Sequence, residues 1–315
     1  MPCCGLSGKV TKLFRVSFAP VILFLVFLAC CPAYSQQPPS PGEDGRRKTS
    51  LAGRQRMLLQ DMAKSACFAV LGVDAGAQVR DLVTAQATFD QTLKDLTRGS
   101  EAQRLLPETD PNILAALKGI ASSWSRYSRA IKSVAEHYKD KSAEEALKTI
   151  YELNPGLALE MNDAVTRFED VYGHPGDTRH AALSSAISIA DRQRMLSQKM
   201  AKEYCMTGSG YKSDVTRVLL LGTMALFEST QDWLAINSVD LDLSEAQTDY
   251  LFAHKARAER VWQVLRTFYA RATAGGAPTQ DELAAAAVVN LELLSELNDV
   301  VKYYETLHTP QARSK

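Results

Sequence analysis

The stretch Arg54-Gln55-Arg56-Met57-Leu58-Leu59-Gln60-Asp61-Met62-Ala63-Lys64-Ser65-Ala66-Cys67 returns as Arg192-Gln193-Arg194-Met195-Leu196-Ser197-Gln198-Lys199-Met200-Ala201-Lys202-Glu203-Tyr204-Cys205, with ten of the fourteen positions identical. Unrelated segments of ordinary composition would share about one. The offset of 138 continues without a gap, pairing Phe89 with Phe227, Leu96 with Leu234 and Trp124 with Trp262. After a two-residue deletion, Met161-Asn162-Asp163-Ala164-Val165 pairs with Leu297-Asn298-Asp299-Val300-Val301, and Phe168-Glu169 with Tyr304-Glu305. The chain is a duplication of a unit of ~120 residues.

Within each unit apolar residues recur at three-four spacing, and prolines fall mostly at breaks between such runs; Pro155 with Gly156 is the awkward exception. The pattern predicts helices over 50–71, 76–98, 111–140 and 143–172, then 179–207, 211–238, 244–273 and 279–308. Four antiparallel helices per unit imply a four-helix bundle. The expected fold is all-α, two tandem four-helix-bundle units forming an intrachain pseudo-dimer, with boundaries at 50–173 and 179–308, a linker at 174–178 and a tail at 309–315.

With 46% hydrophobic residues in 315, the chain is too apolar for general disorder and large enough for one big core or two modest ones. Its 36 lysines and arginines balance 36 aspartates and glutamates, so no global field points to nucleic acid. Lys9, Lys12 and Arg15 precede an apolar run from Val16 to Ala29, followed by Ala33-Tyr34-Ser35. That is the layout of a secretory signal peptide over 1–35, with cleavage near Ser35 and a periplasmic destination. A lipid anchor on Cys30 and a retained N-terminal membrane anchor are the alternatives. Cleavage leaves a mature chain of formal charge −3, opening on a Pro- and Gly-rich stretch over 36–49 that reads as a flexible leader.

On the first helix, Leu58, Met62, Ala66 and Ala69 form an apolar stripe suited to the unit's own core. Arg56, Gln60, Ala63 and Cys67 form a second stripe displaced by ~200°, and Arg194, Gln198, Ala201 and Cys205 repeat it. Such a helix is built to meet a partner, and its duplicate is the natural one. The meeting would bring Arg56 and Arg194 together, which like charges resist unless an anion lies between them. Guanidinium forks match planar oxyanions; solvated or salt-bridged surface arginines are the plainer alternative.

Gly53-Arg54-Gln55-Arg56-Met57-Leu58 and its repeat resemble the signature of the PilJ-like domain, the N-terminal sensor module of type IV pilus chemotaxis transducers. The motif is also similar to the periplasmic box of nitrate and nitrite sensor kinases. The resemblance implies a small oxyanion, nitrate or nitrite, held between paired first helices by the arginine before the methionine and by backbone near the glycine. Those positions are Arg56, Arg194 and Gly53, with Gln60 and Gln198 one turn further on. The second unit departs from the pattern, carrying Asp191 where the first has Gly53, three residues before Arg194 and placed to neutralise it. No second span, signalling linker or kinase region is expected. A partner receptor, kinase or transporter would therefore read out the module, whose internal pairing predicts a monomer. The alternative is an envelope structural or adaptor protein that has lost ligand binding.

Other chemistry is not expected. The histidines His137, His174, His180, His254 and His308 form no metal-binding pair, and no nucleophile elbow, zinc-protease box or phosphate loop is present, so no catalysis, metal or cofactor is predicted. Trp124 and Trp262 read as core anchors. Cys67 and Cys205 are the only cysteines after residue 31 and occupy equivalent positions, each eleven residues beyond its arginine. Parallel pairing of the first helices in an oxidising compartment would join them; two buried free thiols are the alternative.

Overall fold

The computed structural model describes residues 39–173, 178–236, 241 and 243–307, apart from the side chains of 178–180 and 231–236. The expected export signal over 1–35, with Cys3, Cys4, Cys30 and Cys31, lies outside the described residues. So do the side chains of His174, His180, Leu234 and His308, the tail, and the linker up to Thr178. Among the described residues there are eight helices: α1 Pro41–Val70, α2 Ala75–Arg98, α3 Pro111–His137, α4 Lys141–Tyr172, α5 Thr178–Ser209, α6 Ser213–Ile236, α7 Glu245–Thr273 and α8 Gln280–Leu307.

Local chemistry sets the ends. Asp110 accepts from the N–H groups of Asn112 and Ile113 ahead of Pro111, and Ser244 forms a capping box with Gln247. Gly99 ends α2 at φ 78°, where a Cβ would also lie 2.7 Å from the backbone nitrogen of Pro107. Helix α4 runs through Pro155 without ending.

In the first unit α1 packs on α2 and α4, and α3 closes the bundle against α4; α5 to α8 repeat the arrangement. Each bundle is anchored by an aromatic pair at duplicated positions. Phe89 stacks on Trp124 with ring centroids 4.2 Å apart, and Phe227 lies 4.9 Å from Trp262. Both tryptophans are buried, as the apolar stripe around them predicts. The bundles join through α1 and α5, which are buried on nearly every side. Leu59, Met62, Ala63 and Phe68 of α1 and Met200, Ala201 and Tyr204 of α5 belong to one core spanning both units. The described residues form one compact body.

The expected flexible leader over 36–49 is corrected from residue 41 on, because α1 begins at Pro41 rather than near Ser50. Ser40 caps it, Pro41 starts it, and Glu43 and Asp44 sit in its first turn, where negative charge is favoured. Lys48, nearly fully buried, lies 3.0 Å from Asp44 and 3.2 Å from Glu108. Burial pushes the Glu108 carboxyl up, but hydrogen bonds from the Asp110 N–H, the Tyr172 hydroxyl and the Thr109 N–H, with Lys48 beside it, hold it below its ordinary range. Polar composition suggests a leader. Long-range partners on the α2–α3 loop and α4 order it instead.

Candidate functional site

Equivalent residues of the duplication meet along the α1–α5 seam at both ends, so the two helices run parallel about an internal pseudo-two-fold axis. At the C-terminal end Cys67 and Cys205 are bonded, with Cα atoms 6.2 Å apart. In the middle, the Lys64 ammonium donates to Gln198 Oε1 at 2.8 Å and the Lys202 ammonium donates to Gln60 Oε1 at 2.7 Å, a crossed pair of hydrogen bonds. Both lysines are buried.

The copies then diverge. Lys64 has the carboxylate of Asp61 at 2.7 Å, whereas position 199 is a lysine and Lys202 turns to Asn154 Oδ1 at 2.8 Å. Among the described residues no carboxylate is paired to it, and burial depresses the Lys202 ammonium to about 8. Asn154 also donates to the backbone carbonyl of Leu59, and its equivalent Asn290 donates to that of Ser197. Gln55 and Gln193 reach the carbonyls of Phe89 and Phe227, both at 3.0 Å, and fix each motif helix against its neighbour. The repeated glutamines and lysines therefore hold the seam together.

At the N-terminal end the seam opens into a cleft of about 1040 Å³ that reaches α4 and α8. Gly53 and Arg56 line it; Arg194, Gln60 and Gln198 do not. Arg194 is buried, ion-paired with Asp191 and donating to Asn298 Oδ1 at 3.1 Å. Asp191 is itself buried, and desolvation pushes its carboxyl up while Arg194 and Arg56 pull it down. Its Oδ2 lies against the backbone of Gly53. The anion that the approach of two arginines requires is thus supplied by the chain itself, on the Arg194 side.

Arg56 is placed differently. Among the described residues no carboxylate comes within 4.0 Å of its guanidinium, and its Nε is buried without a hydrogen-bond partner. Burial lowers the Arg56 pKa, against the opposing pull of Asp191 and Glu169. A largely desolvated cation without a paired charge, facing a cleft, is a group that a ligand can satisfy.

Two further duplicated residues shape the cleft and were not singled out by the sequence reading. Ser50 of α1 donates to Glu305 of α8 at 2.5 Å, and Ser188 of α5 donates to Glu169 of α4 at 2.8 Å. Each serine holds a carboxylate of the other unit. The repetition of Phe168-Glu169 as Tyr304-Glu305, with Ser50 repeated as Ser188, was the available signal. Asn162 and Asn298 also repeat, yet Asn162 is exposed and only Asn298 reaches its arginine.

Of the expected site residues, the structure gathers Gly53 and Arg56 at the cleft, ties Arg194 to Asp191, and commits Gln60 and Gln198 to lysines deeper in the seam. The role expected for these two glutamines is therefore corrected, because their acceptor oxygens already receive buried ammonium groups. Among the described residues no group of three or more His, Cys, Asp or Glu side chains is arranged to hold a metal ion, and no helix is long and apolar enough to cross a membrane.

Residues 50–149 match the family PilJ, described as type IV pili methyl-accepting chemotaxis transducer N-term. The match covers the motif helix α1 from Ser50, all of α2 and α3, and the start of α4. It supports the resemblance read from the arginine motif in the first unit, and it is to a signalling rather than a catalytic family. No curated protein and no solved structure matches the chain.

Proposed function

From the match of residues 50–149 to a transducer N-terminal family, we propose that this chain is an exported, non-enzymatic sensory module with one working ligand site. The site is the cleft at the N-terminal end of the α1–α5 seam, and Arg56 is its anchoring cation. The ligand carries a planar oxyanion group, nitrate and nitrite being the simplest members, and a separate receptor, kinase or transporter reads out its binding. The observation that carries this reading is the contrast between duplicated arginines. Arg194 is neutralised by Asp191, whereas Arg56 is largely buried, has no paired carboxylate among the described residues and faces the cleft.

Physically, a planar oxyanion would take two parallel N–H donors of Arg56 while the closed Arg194–Asp191 pair stays as structure. Ligand entering between α1, α4, α5 and α8 would bear on both bundles, which the disulfide and the crossed lysine–glutamine pairs couple rigidly. The periplasm is the compartment this reading assigns, in keeping with the sequence before residue 36 and with a disulfide on the seam.

Titration calorimetry of the purified chain against nitrate, nitrite and simple carboxylates, repeated with Arg56→Ala, tests the proposal. Heat that disappears with the substitution is the expected result. Silence with every oxyanion tried would remove the site and leave the envelope adaptor, a reading that Asp191 favours by closing half of the arginine pair.

A further inference from the structure

The outward side of α6 is apolar where the equivalent side of α2 is polar. Inward positions of the two helices agree, Leu220 with Leu82 and Phe227 with Phe89, and all four are buried. On the outside, Val218, Leu219, Gly222 and Leu226 stand where α2 carries Arg80, Asp81, Thr84 and Thr88. Val218 is 71% exposed, and Val215, Leu219, Leu221 and Leu226 are exposed beside it. The ten residues from Val218 to Phe227 carry no charge. Single apolar residues on a surface need no explanation, but a contiguous face marks a contact, and the first unit folds the same way without one.

Gly222 lies at the middle of this face, and a Cβ built on it would meet nothing within 4 Å. Glycine weakens a helix interior relative to alanine, and nothing among the described residues requires it here; the close approach of a second backbone does. The face is also symmetric about this residue, with Val218 and Leu226 four positions to either side and Leu219 and Ala225 three. An antiparallel helix of the same sequence crossing at Gly222 therefore sets Val218 on Leu226 and Leu219 on Ala225, twice over, as an isologous contact requires. Arg217 and Glu228 are eleven residues apart and so lie on one edge of the helix. They are matched within the chain by Asp214 and Arg266, each at 2.8 Å. No net charge opposes the approach, and the antiparallel sense sets Arg217 beside Glu228 rather than beside its own copy.

We infer that α6 is the surface through which two copies of this chain associate, antiparallel about a two-fold axis at Gly222. The internal pairing from which a monomer was expected uses α1 and α5 and leaves this face of α6 outward. Among the described residues none of α6 lines the cleft, so the contact stands apart from the ligand site. A lipid surface fits the face less well, because a membrane-lying helix is fringed with lysine or arginine and gains from bulk where α6 has glycine. The side chains of one helix face are few against the roughly 20–30 residues a side of a standard interface, so the association is reversible, in the micromolar range or weaker.

Sedimentation velocity of the purified full chain from ~1 to ~500 μM tests this, and the sedimenting mass should rise from one chain toward two. A V218R/L219D/L226T chain carries the residues of α2 at these exposed positions. With its circular dichroism unchanged, it should need at least about tenfold higher concentration to associate. Contact at the axis is read by Gly222→Cys under mild oxidation, which should join two chains, while Thr84→Cys at the equivalent place on α2 should not. A monomer at every concentration, a dimer that the triple substitution leaves intact, or cross-linking at 222 no better than at 84 overturns the inference. So does a monomer that floats with phosphatidylcholine–phosphatidylglycerol vesicles and ceases to do so in the triple variant, a result that would assign the face to lipid.

Discussion

A Cβ placed on Gly53 would come within 2.7 Å of Oδ2 of Asp191. These two residues occupy the same position in the two copies of the duplication, and they face each other across the α1–α5 seam. The absence of a side chain in one copy is what lets the carboxylate of the other reach the centre of the interface, where it pairs with Arg194. One copy became the receptor for the other's acid.

This mutual fit predicts a change of sign in a double-mutant cycle. Alanine is favoured over glycine within a helix by about 1 kcal/mol. In the present chain Gly53→Ala must push against a buried carboxylate held by Arg194, and should lower stability by about 1–2 kcal/mol. In an Asp191→Gly background the same substitution should raise stability by up to ~1 kcal/mol. Urea unfolding of the four chains reads both values, and a destabilisation that persists without Asp191 would refute the contact.

The two motif arginines should respond in opposite ways to truncation. Arg194→Ala leaves Asp191 buried without a partner and should cost ~3–5 kcal/mol. Arg56→Ala removes a largely buried cation that has no ion-pair partner among the described residues, so its effect on unfolding should stay within about 1 kcal/mol. Thermal or urea denaturation distinguishes them, and equal losses would mean that Arg56 is as structural as its duplicate.

Lys202 should make the protein more stable as pH rises above neutrality. Its folded pKa, about 8, lies below the ordinary lysine value of 10.5, so between these values the unfolded chain binds more protons and unfolding becomes less favourable with pH. The destabilisation present below pH 8 is on the order of 3 kcal/mol and is relieved across that window. The groups around it are Gln60 and Asn154 as acceptors, with Glu203 and Lys199 acting at longer range. Lys202→Met should flatten the rise between pH 8 and 9.5, measured by urea unfolding.

The disulfide closes a sequence separation of 138 residues and ties the two units together. In the chain-entropy account, a loop of that length stabilises the fold by about 5 kcal/mol. Thiol counting of denatured, non-reduced protein should find neither Cys67 nor Cys205 free, and Cys67→Ala with Cys205→Ala should lower the unfolding temperature. Two free thiols from these positions in exported protein would contradict it.

Much of the architecture was legible because helical periodicity and repetition are local properties of a chain. Apolar spacing placed eight helices within a few residues of their ends, except where Asp44, Lys48 and Glu108 extend α1 into a stretch whose composition suggested a leader. The alignment of Cys67 with Cys205 and of Arg56 with Arg194 likewise pointed to a paired seam, because a parallel two-fold brings equivalent residues together. What the sequence could not decide is how each polar side chain on that seam is spent. Asp191 was recognisable as a threat to Arg194, but that it leaves Arg56 without a paired carboxylate depends on distances of a few ångströms across two helices. Gln60 and Gln198 look like ligand-binding partners of the arginines by spacing alone, yet buried lysines from the opposite helix claim them. Hydrogen bonds and ion pairs are set by which groups are desolvated side by side, and only packing of the two bundles decides that.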